Sequence, residues 1–316
     1  MSKRALVFPG QGSQVVGMGV ELAQAFAAAR EVFEETDDAL GLKLSAMMAE
    51  GPTETLMLTE NAQPALLATS VAVLRVLERE GGLDLAKHVA FVAGHSLGEY
   101  SALTAAGTFQ LADAVRLVRR RGQAMQAAVP VGTGAMAAIL NIELEAALDL
   151  ARAAEAATGL VCAAANDNGS GQLVLSGHRE AVEKAIEIGA ERGFKRAIML
   201  PVSAPFHSPL MAPAAEIMAE ALAGLDLAVP AVPLIANVTA RAVRDVETIR
   251  RLLVEQVTGL VRWRETVLHL KEEGVSEIVE LGAGKVLSGL VRRIDKEIAT
   301  RSIGAPAEIE AFHATL

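Results

Sequence analysis

The pentapeptide Gly94-His95-Ser96-Leu97-Gly98 constrains this chain more than any other segment. Before it, Val89 to Gly94 is a small, apolar run of strand length; after it, Leu97 to Ala106 has helical character. Strand, Gly-x-Ser-x-Gly and helix in succession are the layout of a nucleophile elbow, a sharp turn that displays a serine at the edge of a sheet. Such a turn calls for glycine on both sides, because neighbouring backbone passes where a Cβ would stand. It also sets the serine oxygen against the start of a helix, whose first N–H groups lack an internal acceptor and whose dipole end is positive. Ser96 is therefore a candidate nucleophile, and the N–H of Leu97 a candidate oxyanion donor.

The surrounding pattern supplies a sheet for this turn. Arg4 to Phe8 reads as a buried strand closed by Pro9-Gly10, and helical spacing runs over Val20–Leu40, Ala65–Arg79 and Leu111–Ala128. Strands alternating with helices predict an α/β fold with a mostly parallel sheet. With 316 residues, 52% of them apolar, the chain can bury a large core. Beyond Pro130 the order changes. Strand Ala135–Leu140, helix Ile142–Ala157, strand Val161–Ala165, turn Asn166–Gly171, strand Gln172–Ser176, helix Arg179–Arg192 and strand Arg196–Leu200 follow one another. That is βαββαβ, the ferredoxin-like order. The expected organisation is a main unit of residues 1–130 and 201–316, with residues 131–200 inserted as a small subdomain.

Composition removes several function classes. A net charge of −9 argues against nucleic-acid binding, which needs a basic face. The single cysteine, Cys162, cannot form an intramolecular disulfide and fits a cytoplasmic protein. The apolar run after Met1 stops at Pro9-Gly10, too early for a signal peptide, and the uncharged stretch Gln123–Ile142 is broken by Pro130, Gly132 and Gly134. No membrane span and no metal site is expected.

A serine nucleophile needs a base. Of six histidines, His95 lies on the turn itself, while His207 lies in Val202–Pro209, an uncharged loop containing Pro205 and Pro209 that holds a side chain rigidly. His207 is the preferred base. No acid stands in an obvious loop between Ser96 and His207, so a dyad with His207 oriented by a main-chain carbonyl is at least as well supported as a triad. In Arg119-Arg120-Arg121, helical spacing aligns Arg121 with Leu117 and Met125 on an apolar face. A cation there calls for an anionic partner, such as a ligand carboxylate gripped bidentately; a structural ion pair or a snorkelling side chain is the other reading. Gln11, in Gly10-Gln11-Gly12 after the first strand, is placed to offer an amide donor or to shape an oxyanion hole.

Taken together, Phe8-Pro9-Gly10-Gln11-Gly12-Ser13-Gln14, Gly94–Tyr100, Arg121-Gly122 with Met125-Gln126, Ala204–Ser208, Gln256 with Val261-Arg262-Trp263, and Glu280-Leu281-Gly282 with Val286-Leu287 resemble the malonyl-CoA:acyl carrier protein transacylase family over most of the chain. The resemblance implies an α/β-hydrolase-like core with a ferredoxin-like insert. It implies Ser96 as nucleophile, His207 as base, and Gln11 with the Leu97 N–H as the oxyanion hole. Arg121 would hold a malonyl carboxylate; Gln256, Phe206, His95, Asn166 and Asn168 would lie at the substrate, with a carbonyl near Gln256 orienting His207. Phe206 would act against methylmalonyl groups. Malonyl-CoA and acyl carrier protein are the implied partners of a monomer that needs no cofactor, coenzyme A and phosphopantetheine thioesters being its substrates. Fatty acid biosynthesis is the implied pathway; polyketide and malonate decarboxylase systems, or a serine esterase or thioesterase, are the alternatives. Leu260 and Asp167 depart from the family, which often has proline and a neutral residue there.

Overall fold

Alternation along β1 shows how the main sheet is built. In the computed structural model, which describes residues 3–315, Leu6 and Phe8 of this strand pack into one apolar cluster while Ala5 and Val7 pack into another on the opposite face. A strand buried on both faces belongs to a sheet covered by helices on both sides, the setting of parallel sheets.

Among the described residues there are ten strands: β1 (Arg4–Phe8), β2 (Phe91–Gly94), β3 (Gly134–Leu140), β4 (Cys162–Asp167), β5 (Gln172–His178), β6 (Ala197–Met199), β7 (Leu234–Ile235), β8 (Ala242–Val243), β9 (Glu277–Leu281) and β10 (Ala299–Ile303). They form two sheets. The larger has the order β10-β9-β1-β2-β7-β8 and is parallel throughout except for the final hairpin, β7 with β8. The smaller has the order β4-β5-β3-β6, each pair antiparallel, with helices Leu144–Thr158 and Arg179–Glu191 packed on its apolar side. This is the predicted α/β combination of a mainly parallel sheet with a ferredoxin-like βαββαβ unit.

Several boundaries differ from the periodicity. The stretch expected as one helix, Val20–Leu40, breaks at Phe26, whose backbone is extended (φ −128°, ψ 124°), into helices Val20–Ala25 and Ala27–Leu40. Helical spacing continues through this point, with Leu22, Phe26 and Phe33 four and seven residues apart, so the periodicity gives no sign of the break; Leu22 and Phe33 are buried on either side of it. The helix expected from Ala65 begins at Thr59 and carries Pro64 in its second turn, where a proline forfeits one backbone bond. The turn expected at Asn166–Gly171 starts later, because β4 extends through Asp167. Asn166 and Asp167 pair with Val174 and Leu173 of β5, and Val261 adds a bridge on the other edge: its N–H donates to the Ala165 carbonyl at 2.9 Å and its carbonyl accepts from the Asp167 N–H at 2.9 Å. That short ladder fastens the small sheet to the chain approaching helix Trp263–Glu272. The buried Asp167 is accommodated by the Gly169 N–H, which donates to its carboxylate at 3.0 Å, and Leu260 packs against the core of the small unit. No helix among the described residues is long and apolar enough to cross a membrane.

The carboxyl ends of β1, β2 and β7 lie side by side, and the segments leaving them carry Gln11, Ser96 and Asn237. Open α/β sheets bind their ligands at this edge.

Candidate active site

The turn after β2 is as tight as the glycines suggest. A Cβ on Gly94 would stand 1.9 Å from the Gly98 carbonyl carbon, and one on Gly98 would stand 2.0 Å from the Phe8 carbonyl oxygen. Between them Ser96 adopts φ 52°, ψ −107°, a conformation that costs a non-glycine residue free energy and is retained where the surroundings impose it. Helix Leu97–Ala105 starts at once, so the Leu97 N–H has no acceptor within its helix.

His207 meets Ser96 from a distant part of the chain. Its Nε2 lies 2.7 Å from the Ser96 Oγ, and its Nδ1 lies 2.8 Å from the main-chain oxygen of Gln256. A carbonyl oxygen only accepts, so Nδ1 carries the proton and the Nε2 lone pair faces the serine hydroxyl. The orienting group is thus a carbonyl, in the arrangement of a dyad. Burial, reinforced by the nearby Arg121 guanidinium, pushes the His207 pKa down to about 3, so the imidazole is neutral at ordinary pH. Its backbone, like that of Ser96, lies in the left-handed region, at φ 57°.

Arg121 points inward, whereas Arg120 is exposed and pairs with Glu220 at 3.7 Å. The guanidinium is 2% exposed and donates to three neutral oxygens: Gln63 Oε1 at 2.8 Å, Gln256 Oε1 at 2.9 Å and Ser96 Oγ at 3.2 Å. It also lies 5.4 Å from the centre of the Tyr100 ring. None of these partners is a carboxylate, so the structural ion pair, one of the two readings of an inward arginine, is absent among the described residues.

A cleft of about 310 Å³ opens onto these groups, lined by Gln11, Leu97, Phe206 and Asn166 from separate segments and by Met125 and Met136. The Gln11 carbonyl oxygen accepts from the Thr59 hydroxyl at 2.9 Å, which leaves its NH₂ free to donate. His95 lines the cleft with its Nε2 2.9 Å from Asn168 Oδ1, so Asn168 meets the site through His95. Gln256 is fully buried behind Ser96, where its Nε2 donates to the Ser96 carbonyl at 2.9 Å. Its side chain supports the elbow and does not face the cleft, which corrects the expectation of a substrate contact.

Three participants have support roles that the sequence does not reveal. Asn237 clasps the elbow: its Oδ1 accepts from the Ser96 N–H at 2.8 Å and its Nδ2 donates to the Gly94 carbonyl at 2.6 Å. Glu99 lies one helical turn past the serine, 1% exposed, and accepts from Gln256 Nε2 at 2.7 Å. Gln63 braces Arg121 and in turn donates to the Thr59 hydroxyl at 3.0 Å. An asparagine after a short strand and a glutamine on a long helix are ordinary in sequence, and only adjacency in space marks them.

Comparison with known proteins gives a consistent picture. Residues 5–303 match the model of the acyl transferase domain. The malonyl CoA-acyl carrier protein transacylase of Bacillus subtilis is 47% identical over 318 residues, covering 100% of this chain and 98% of the relative. The crystal structure of an acyl-carrier-protein-S-malonyltransferase from Bartonella henselae superposes with a TM-score of 0.96 at 54% identity, covering 99% of each chain. A type II PKS acyl-carrier protein in complex with its malonyl-transacylase offers a third comparison, with a TM-score of 0.95 at 41% identity over 100% of each chain.

Proposed function

The chain belongs to the malonyl-CoA–acyl carrier protein transacylase family of acyl transferases, and from that premise we propose that it moves malonyl from coenzyme A to the phosphopantetheine thiol of an acyl carrier protein through a malonyl-Ser96 ester. One observation supports this reading above the others. A hydroxyl, a neutral imidazole and a buried guanidinium from three distant stretches of chain meet at 2.7 Å and 3.2 Å beside one cleft.

In the first half-reaction His207 Nε2 takes the Ser96 proton as Oγ attacks the thioester carbonyl. The oxyanion is held by the Leu97 N–H and the Gln11 amide. Collapse expels the coenzyme A thiol, which leaves with the proton from His207. In the second half-reaction His207 takes the proton of the carrier thiol; its sulfur attacks the ester, and Ser96 departs with that proton. Arg121 binds the malonyl carboxylate. An acyl group without that carboxylate leaves the guanidinium without an anionic partner, at about 2–5 kcal/mol. Phe206 lines the cleft wall, and its role in this reading is to act against a branch at the malonyl α-carbon. The acidic carrier class would dock against the exposed Arg192, Lys195 and Arg196, near the strand that leads to Leu200 and Val202 of the cleft. Supply of malonyl carrier to fatty acid biosynthesis in the cytoplasm is the role that fits this chemistry.

The test is intact mass spectrometry after mixing with malonyl-CoA. A malonyl adduct on Ser96 that holo-carrier discharges to malonyl carrier is expected. An adduct elsewhere, or release of free malonate in place of the carrier thioester, would overturn the reading.

A further inference from the structure

Two buried groups of opposite charge lie near each other without touching. Among the described residues Arg121 finds only neutral acceptors, and its Nε has no hydrogen-bond partner. Glu99 finds only amide donors, Gln256 Nε2 at 2.7 Å and the Asn237 N–H at 3.3 Å, and its Oε1 has no partner. A buried guanidinium and a buried carboxylate are each costly unless the other compensates them. The Gln256 amide connects them, with its oxygen on Arg121 and its nitrogen on Glu99. This orientation is locked from both ends, since the flipped amide would set NH₂ against the guanidinium and oxygen against the carboxylate. An amide so aligned is polarised along the line between the charges and strengthens both contacts.

We propose that Glu99 is the internal counter-charge of Arg121, acting through Gln256, and that it sets how strongly the guanidinium takes a ligand carboxylate. Glu99 contacts neither the Ser96 hydroxyl nor the His207 ring, so it is a specificity-positioning residue and takes no part in proton transfer. A ligand carboxylate arriving at Arg121 meets a guanidinium whose field Glu99 has partly cancelled. Removing the Glu99 charge sharpens the preference for carboxylate-bearing acyl groups; keeping it holds the clamp weak enough to release them. Arginine does not lose its proton in this pH range, so Glu99 is the adjustable half of the pair. Burial pushes its carboxyl up to about 7, against the pull of Gln256, the Asn237 N–H and Arg121. The other groups facing this pocket stay in one state between pH 7 and 8. Tyr100 is pushed up to about 12 by burial, His207 down to about 3, and His95 below its ordinary value.

The inference rests on the reading of Arg121 as the malonyl clamp, and the experiment separates the two. Affinities for malonyl-CoA and acetyl-CoA are measured by calorimetry in a Ser96→Ala background, where no ester forms. Glu99→Gln keeps an acceptor for Gln256 and Asn237 and deletes only the charge. It is expected to tighten malonyl-CoA about tenfold, equivalent to about 1.4 kcal/mol, and to leave acetyl-CoA unchanged. With Glu99 intact, the malonyl-to-acetyl affinity ratio should rise as pH falls from 8 through 7, as Glu99 takes up a proton. In Glu99→Gln the ratio should be flat. The coenzyme A phosphates titrate nearby, but both thioesters carry them equally. The pH series on the unaltered Glu99 stands even if the substituted protein folds poorly. A ratio that Glu99→Gln leaves unmoved, or affinities for both thioesters that shift together, removes the counter-charge role. Arg121→Ala in the same background then reports on the clamp alone: a ratio it does not lower would sink the clamp reading itself.

Discussion

Asn237→Ala tests the support of the nucleophile most directly. The substitution removes two buried hydrogen bonds, from the Ser96 N–H at 2.8 Å and to the Gly94 carbonyl at 2.6 Å, and offers neither group another partner. Each orphaned buried group costs about 1–3 kcal/mol, so the protein should lose about 2–6 kcal/mol of stability. The positive φ of Ser96 is itself worth about 1–3 kcal/mol of strain, held in place by such contacts. Once they are gone, the turn relaxes and Oγ drifts from His207 Nε2. A misplacement of about 1 Å costs about a hundredfold in rate. Urea denaturation reads the first effect. The burst of coenzyme A on rapid mixing with malonyl-CoA reads the second, and the affinity for malonyl-CoA should hold nearly constant. Asn237→Asp keeps an acceptor for the Ser96 N–H but turns an oxygen toward the Gly94 carbonyl, and should fall between the alanine variant and the parent. If Asn237→Ala stays within about 0.5 kcal/mol of the parent, with an undiminished burst, the clasp plays no such role.

Further outcomes are expected at neighbouring positions. Gly98→Ala drives a methyl to within 2.0 Å of the Phe8 carbonyl oxygen and should cost at least about 3 kcal/mol or abolish soluble expression, measured by denaturation or yield. Gln63→Ala takes one acceptor from Arg121 and should raise the KM for malonyl-CoA about tenfold, with residual acetyl transfer little changed. His207 titrates at about 3 in the native state and near its ordinary value when unfolded. Below about pH 6.5 the unfolded chain therefore takes a proton that the native site refuses, and stability falls as pH drops toward 3. At pH 5 the loss is about 2 kcal/mol, and His207→Gln should lack that component when denaturation at pH 5 and 7.5 is compared. For the same reason the acid limb of kcat/KM should lie well below the ordinary histidine range.

What could be read from the chain alone divides along physical lines. The elbow was legible because its requirements are local: a strand, two glycines and a helix start within about a dozen residues. Arg121 was legible because helical spacing set a cation among apolar neighbours, and His207 because prolines frame its loop. The βαββαβ order followed from alternating periods. The break at Phe26 and the long β4 could not be read: helical spacing runs on through Phe26, and the pairing of β4 with β5 and with Val261 is set only in the folded chain. Gln256 comes to the site only through family resemblance, and its actual position behind the serine depends on where helix Val246–Thr258, which carries it, ends in the fold. Asn237, Gln63 and Glu99 carry no sequence signature of their support, since their roles exist only between segments far apart in the chain.

The oxygen that orients His207 belongs to the main chain, and this has a hereditary consequence. No codon change can delete a carbonyl, so substitutions at position 256 alter the amide support of the elbow while the imidazole keeps its tether. Lineages of a carboxylate-based triad can strengthen or weaken their base by exchanging aspartate, glutamate or asparagine. That dial does not exist here. Selection acting on the basicity of this imidazole must work from the periphery, through how dry its pocket is and how much positive field reaches it from Arg121.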